Sequence, residues 1–229
     1  MSESKINTIA VLGGTGKEGS ALGMRWAQAG YNVIIGSRAL EKAQRKVEEF
    51  NAALDGARLL PADNVSAAAQ ADIVVLTVPY SAHKVTLEAV APHLEGKILV
   101  DVTVPIDPEN IFACHPPPGG AAALEAQAML GDRVRVVAAF QNISYIELKD
   151  LDRVLDCDVL VVGDDAGAKA EVIRLVEAAG MRGIDAGPLA NAVAVESLTP
   201  VLLSINRRYK VKGAGIRITG LPDPLPALQ

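Results

Sequence analysis

Three glycines at fixed spacing, set between an apolar strand and a helical pattern, constrain this chain more than any other feature. Ile9-Ala-Val-Leu12 is wholly apolar, Gly14-x-Gly16-x-x-Gly19 follows almost at once, and Ala21, Leu22, Met24, Trp26 and Ala27 then recur as the buried face of a helix. A strand, a glycine turn and a helix in that order form the layout of a dinucleotide site. Gly14 allows the tight turn, Gly16 lets backbone approach a pyrophosphate, and Gly19 lets the helix close on the sheet. The helix N-terminus directs unpaired N–H groups and its positive dipole end at phosphate. A glycine triplet alone also suits a turn that binds nothing. The strand before it and the helix face after it favour the nucleotide.

The second strand bears on which nucleotide. Tyr31-Asn-Val-Ile-Ile-Gly-Ser-Arg38 ends where an NAD-specific site places Asp or Glu against the ribose 2′-hydroxyl, and no acid stands there. Ser37 and Arg38 offer a hydroxyl and a guanidinium instead, which suit a 2′-phosphate. Lys42, one turn on, adds a second cation, although a solvated helix face explains it equally well. The three together predict NADP(H) over NAD(H).

Strand and helix patterns alternate through the first two thirds of the chain, with strands expected near 5–12, 31–36, 57–60, 72–78, 97–104 and 134–139. This is the signature of a Rossmann-type, doubly wound α/β fold with a mainly parallel sheet. The runs ending Thr77-Val-Pro79 and Thr103-Val-Pro105 are each stopped by proline. Ligands lie beyond the carboxyl ends of such strands, so Val78 and Val104 are candidates for the floor under a nicotinamide ring. Simple strand-ending prolines remain the alternative. The expected division is a nucleotide domain over 1–140 and a small C-terminal domain over 141–229. The second part should hold a strand near 157–162, a helix near 166–179, a short segment at 181–184 and a helix over 191–209. That last helix is apolar around most of its circumference, which predicts enclosure by the core or by a second subunit, hence a homodimer or higher oligomer. Residues 107–120, with Cys114-His-Pro-Pro-Pro-Gly-Gly120, have the composition of an exposed loop or lid.

A net charge of −5 argues against a nucleic-acid protein, so the expected partners are small molecules or further copies of the chain. Cys114 and Cys157 form no CxxC pair, the N-terminal residues are polar, and no apolar run is expected to reach membrane-spanning length. The chain reads as cytoplasmic. His83, His93 and His115 share no metal-ligand spacing and are expected at surface or capping positions. Tyr145-x-x-x-Lys149 matches the proton-transfer pair of short-chain dehydrogenases, but it follows the sixth strand directly instead of lying on a long helix. With no nucleophile elbow or paired carboxylates, the pattern suits an enzyme that passes a bare hydride between ring cofactors and needs no catalytic acid or base.

Asp185-Ala-Gly-Pro-Leu189 with Glu196-Ser-Leu-Thr-Pro200 close behind is more specific, and with the NADP signatures the chain resembles the NADPH-dependent reductases of the deazaflavin coenzyme F420 over nearly its full length. The resemblance implies reversible hydride transfer between NADPH C4 and deazaflavin C5. It further implies a pyrophosphate loop at Thr15, Gly16, Lys17 and Glu18, a 2′-phosphate site at Ser37, Arg38 and Lys42, and nicotinamide neighbours Val78 and Val104. The deazaflavin pocket would include Gln141, Ile143 and Ala214. Where archaeal members read Ala-Leu-His-Thr-Ile-Pro, this chain reads Ala139-Phe-Gln-Asn-Ile-Ser144, so Gln141 replaces a histidine. Arg207, Arg208, Lys210, Lys212 and Arg217 crowd the C-terminal segment and could attract an anionic tail; cations complementing a helix end are the equal alternative. Two further readings stay open: reduction of a flavin, imine or other small acceptor on the same fold, and a non-catalytic NADP(H) sensor.

Overall fold

A computed structural model describes residues 7–56, 58–222 and 225. The parallel half runs β1 (Thr8–Leu12), α1 (Lys17–Gln28), β2 (Asn32–Ser37), α2 (Leu40–Asn51), β3 (Leu59–Asp63) and α3 (Asn64–Gln70). It continues through β4 (Ile73–Leu76), α4 (Tyr80–Val90), β5 (Ile98–Asp101), α5 (Ala122–Leu130) and β6 (Arg135–Ala138). Residues 5–6 and 57, where strands were expected to begin, lie outside the described residues.

All strands join one eight-stranded sheet in the order β3-β2-β1-β4-β5-β6-β7-β8, with β7 (Asp158–Gly163) and β8 (Arg182–Asp185) at one edge. Successive strand residues face opposite layers. Ile9 and Val11 therefore pack with Leu22 and Trp26 beneath α1, while Ala10 and Leu12 pack with Leu87 and Leu94 on the other side. Burial on both faces explains why Ile9–Leu12, Ile73–Leu76 and Ile98–Val100 read as unbroken apolar runs. The chain leaves β1 for β2 and β3 on one side, then crosses back to β4 on the other. That reversal opens the crevice at the carboxyl ends of β1 and β4.

Beyond β6 the direction changes. β7 pairs antiparallel with β6, Val137 opposite Gly163, and β8 returns parallel to β7 after α7 (Ala166–Ala178). The short segment expected at 181–184 is thus the edge strand. α8 (Ala192–Tyr209) follows, preceded by a 3-10 turn at Leu189–Asn191. Contrary to the sequence expectation, Leu189–Tyr209 does reach membrane-spanning length and apolarity, with a mean hydropathy of 1.3. It is nonetheless packed: Val195, Glu196 and Leu202 are buried, and the Glu196 carboxylate accepts the N–H groups of Ala122 and Ala123 at the start of α5, 2.8 and 3.0 Å away.

A buried cation ties the later segment to the first helix. Arg25 of α1 donates to the carbonyls of Leu148, Asp150, Arg153 and Ala179 over 2.5–3.2 Å, and neighbouring Trp26 donates to Leu175 O at 2.8 Å. A guanidinium carries enough donors to satisfy four carbonyls at once.

Candidate functional site

The carboxyl ends of β1, β2, β4, β5 and β6 open on a cavity of about 780 Å³, the size of small-molecule sites. Thr15, Gly16, Lys17, Glu18, Ser37, Arg38, Lys42, Val78, Val104, Gln141, Ile143 and Ala214 all line it. Gly14 and Gly19 stand behind the lining. A Cβ on Gly14 would lie 2.7 Å from Val11 O, and one on Gly19 would collide with the Thr77 hydroxyl. Gly14 thus permits the tight turn against β1 and β2, and Gly19 the close approach of α1 to the sheet. Gly16 is the N-cap of α1 and supplies no side-chain cap, so the first N–H groups of the helix stay available to an anion. Glu18, in that first turn, is half-buried, and desolvation pushes its carboxyl up to about 8. Near neutral pH it therefore adds little negative charge at the start of α1. At the end of β2, Ser37 is buried while Arg38 and Lys42 are exposed.

Beneath Val78 and Val104 lies a polar cluster that sequence reasoning missed. Asp101, fully buried at the end of β5, accepts from the Thr103 N–H at 3.0 Å and meets His83 Nε2 at 2.6 Å. Thr103 Oγ1 in turn donates to Val78 O at 3.4 Å, so the two strand ends are linked. His83 is 2% exposed, which corrects its expected surface or capping position. The available signal was its place on one α4 face with Leu87 and Val90. Burial opposes its protonation, but the Asp101 hydrogen bond and charge hold its pKa above the ordinary value. Nearby Glu196 is pushed up to about 7 by burial, against the pull of the two α5 N–H groups.

The remaining wall comes from the turn after β6, α6 (Tyr145–Leu148), α8 and the C-terminal tail. Gln141 Nε2 donates to Asp101 O at 2.7 Å, and Gln141 O accepts from Thr199 Oγ1 of α8 at 2.6 Å. Ser144 Oγ donates to Lys212 O at 3.1 Å, and the Ala214 N–H donates to Asn206 Oδ1 at 2.9 Å. Asp158, fully buried in β7, anchors the tail further on. Burial opposes its ionisation, but paired bonds from Arg182 and the Ile218 N–H hold its carboxyl below the usual range.

Residues 8–105 match the family described as NADP oxidoreductase, coenzyme F420-dependent. Over 226 residues, 95% of this chain and 97% of the relative, the sequence is 42% identical to the F420-dependent NADP reductase of Methanothermobacter thermautotrophicus. The chain belongs to this family. The F420-dependent NADP reductase of Methanocaldococcus jannaschii is 39% identical over 224 residues, 93% of this chain and 98% of the relative. Two solved structures share the fold. A hypothetical protein from Sinorhizobium meliloti has a TM-score of 0.64 at 24% identity, over 83% of this chain and 86% of that one. A reductive aminase from Aspergillus terreus has a TM-score of 0.63 at 20% identity, over 90% of this chain and 63% of that one.

Three further features divide within this member of the F420-dependent family. The cations of the C-terminal segment do not form one patch: Lys212 lines the cavity, Arg207 stacks 4.7 Å over Phe112, and Arg217 pairs with Asp156 and Asp158. The 107–120 loop lies along α8, where Ser204 Oγ donates to Phe112 O at 2.9 Å, and none of its residues lines the cavity. Tyr145, by contrast, does line it. Its hydroxyl meets Lys17 Nζ at 3.4 Å, whereas the Lys149 ammonium sits over the ring, 5.4 Å from its centroid. The Tyr-x-x-x-Lys spacing thus reaches the site, with Lys17 as the hydroxyl's partner.

Proposed function

We propose that this chain transfers hydride reversibly between NADP(H) and the deazaflavin coenzyme F420, binding both in this cavity. The observation that carries this reading is the convergence of Thr15–Glu18, Ser37, Arg38, Val78 and Val104 with Gln141, Ile143 and Ala214 around one space. The pyrophosphate rests on the uncapped start of α1, the 2′-phosphate meets Ser37, Arg38 and Lys42, and Val78 and Val104 floor the nicotinamide. Gln141, Ile143 and Ala214 hold the acceptor ring. A hydride moves with its electron pair from one ring carbon to another, so the side chains orient, exclude water and supply no proton in that step. In this reading residues 141–229 complete the cleft.

The same proposal includes a homodimer or higher oligomer and a cytoplasmic setting. Val193, Val201 and Ile205 of α8 are 40%, 45% and 37% exposed, an apolar face that a second copy would cover. Cys114 and Cys157 are free thiols, as suits a reducing compartment. Mixing the protein with NADPH and oxidised deazaflavin should bleach the deazaflavin absorbance in step with NADPH, while free flavins and an imine stay unreduced. Turnover of an imine or flavin without deazaflavin turnover would overturn the acceptor assignment. Sedimentation equilibrium giving a monomer at micromolar concentration would overturn the assembly.

A further inference from the structure

Glycine weakens a strand unless something must come close to its backbone, and at Gly36 of β2 that something is Asn64. A Cβ on Gly36 would lie 2.8 Å from Asn64 Oδ1. Asn64 opens α3, one residue past the level at which Ser37 of β2 pairs with Asp63 of β3. Asp63 fixes that start: its carboxylate accepts the Ser66 N–H at 2.9 Å and the Ser66 hydroxyl at 2.6 Å. From there the Asn64 side chain crosses Gly36 and reaches the glycine turn after β1, where Oδ1 accepts the Gly13 N–H at 3.4 Å. One side chain thus ties three strand ends together. A backbone N–H needs an oxygen opposite it, so the other end of the amide is the nitrogen. Among the described residues, Asn64 Nδ2 meets no acceptor, and the unpartnered side-chain atoms sealed from solvent are Gln141 Oε1 and Asn142 Oδ1. Nδ2 is therefore open. Asn64 is 7% exposed and lines the cavity with Ser37, Arg38 and Lys42, so the opening is onto that space.

An amide nitrogen held in this way is a fixed, neutral donor with nothing in the protein to serve. We propose that Asn64 is a specificity residue for 2′-phosphorylated dinucleotides, its Nδ2 donating to a 2′-phosphate oxygen beside Ser37, Arg38 and Lys42. The inference rests on the proposed 2′-phosphate site and adds to it a donor from a third strand end. Arg38 and Lys42 are exposed, where salt screens them, whereas Asn64 is buried, where screening is weak. The amide also selects by chemistry. A phosphate dianion only accepts hydrogen bonds, so it needs the nitrogen; a ribose 2′-hydroxyl donates as well as accepts and would be served by an oxygen in the same place. Gly36 acts at one remove as a positioning residue, because its missing side chain lets Asn64 reach across β2.

The test removes the donor and keeps the contact with Gly13. Asn64→Asp retains an oxygen for the Gly13 N–H and places a second oxygen where Nδ2 stands. In isothermal titration its affinity for NADPH and for adenosine 2′,5′-bisphosphate should fall about a hundredfold, through a lost charge-assisted bond and the repulsion of like charges. NADH, whose ribose hydroxyl can donate to the new carboxylate, should stay within about threefold of wild type. Asn64→Ala adds no charge and should weaken NADPH about tenfold, the cost of one hydrogen bond to a charged group, again with NADH within about threefold. Equal losses of NADPH and NADH in the two variants overturn the inference, since Asn64 would then only hold the glycine turn. A loss in Asn64→Asp with Asn64→Ala behaving as wild type overturns it too, because charge repulsion alone would explain that pattern. A wild type that binds NADH as tightly as NADPH overturns the 2′-phosphate reading and this inference with it; a wild-type preference that both variants keep overturns this inference alone.

Discussion

On the side of the cavity proposed for the nucleotide, Thr15 to Gly19 and Ser37 to Lys42 belong to two consecutive strand–turn–helix units. On the side proposed for the acceptor, Gln141, Tyr145, Thr199 and Ala214 arrive from separate segments that side-chain hydrogen bonds cross-link. The first wall is made of backbone geometry, glycines and one helix end; the second is made of tertiary contacts. The difference predicts where substitutions act. Damage to the nucleotide side should be severe and confined to NADPH, and damage to the acceptor side should be graded.

The largest effect should come from Gly19→Val. Its side chain would drive into Thr77 and into Gly14, whose Cα would lie 3.0 Å from the added Cβ, displacing α1 from the phosphates. NADPH affinity should fall about a hundredfold, as expected for overpacking of this kind, and isothermal titration would measure it. An unchanged affinity would show that the glycines are mere turn formers. Next, Arg38→Ala should raise KM for NADPH about tenfold and leave NADH nearly unaffected, by loss of a charge-assisted phosphate bond. Equal losses with both nucleotides would remove the 2′-phosphate assignment.

Glu196 lies behind the cavity wall, bonded to the start of α5, and gives a third test. Its folded pKa of about 7 lies above the ordinary 4.5, so the folded state holds a proton that the unfolded chain has released between those values. Stability should therefore fall as pH rises from 4.5 to about 7, by about 1–3 kcal/mol. Denaturant melts across that range should show a shallower slope in Glu196→Gln than in wild type, the remainder including the contribution of Glu18, whose carboxyl is raised to about 8; identical slopes would place Glu196 outside the balance. Tyr145→Phe should alter kcat by less than about threefold, because the step needs no phenolic proton, and a loss of about a thousandfold with NADPH binding intact would reinstate general-acid catalysis. Smallest of all, Arg207→Gln should leave deazaflavin KM unchanged, since Arg207 stacks on Phe112, whereas Lys212→Gln at the cavity should raise it a few-fold at low salt.

The same contrast governs what the residues disclosed in advance. Gly14, Gly16, Gly19, Ser37 and Arg38 were legible because their work depends on local spacing: a turn, a helix end and a strand end fix their places within a few residues. β8 was harder to see, since Arg182–Asp185 becomes a strand only by pairing with β7. The burial of His83 was signalled by Leu87 and Val90 on the same helix face, but its partner Asp101 lies on another element and reaches it only through the fold. The cations near the C-terminus looked alike in sequence and were sorted only when Phe112 and Asp158 came within reach of Arg207 and Arg217.

Arg25 gives α1 a role beyond the phosphate contact proposed for its N-terminus. Lys17, at the start of that helix, touches Tyr145, and Arg25, two turns on, grips the carbonyls of Leu148, Asp150 and Arg153. The segment from 145 to 153 is therefore laid along the same rod whose uncapped tip is proposed to receive the pyrophosphate. An α-helix is stiff over such a span, about 12 Å at 1.5 Å per residue. α1 thus works as a gauge block: the glycine turn at its start and the segment from 145 to 153 are indexed to one straight edge within the monomer.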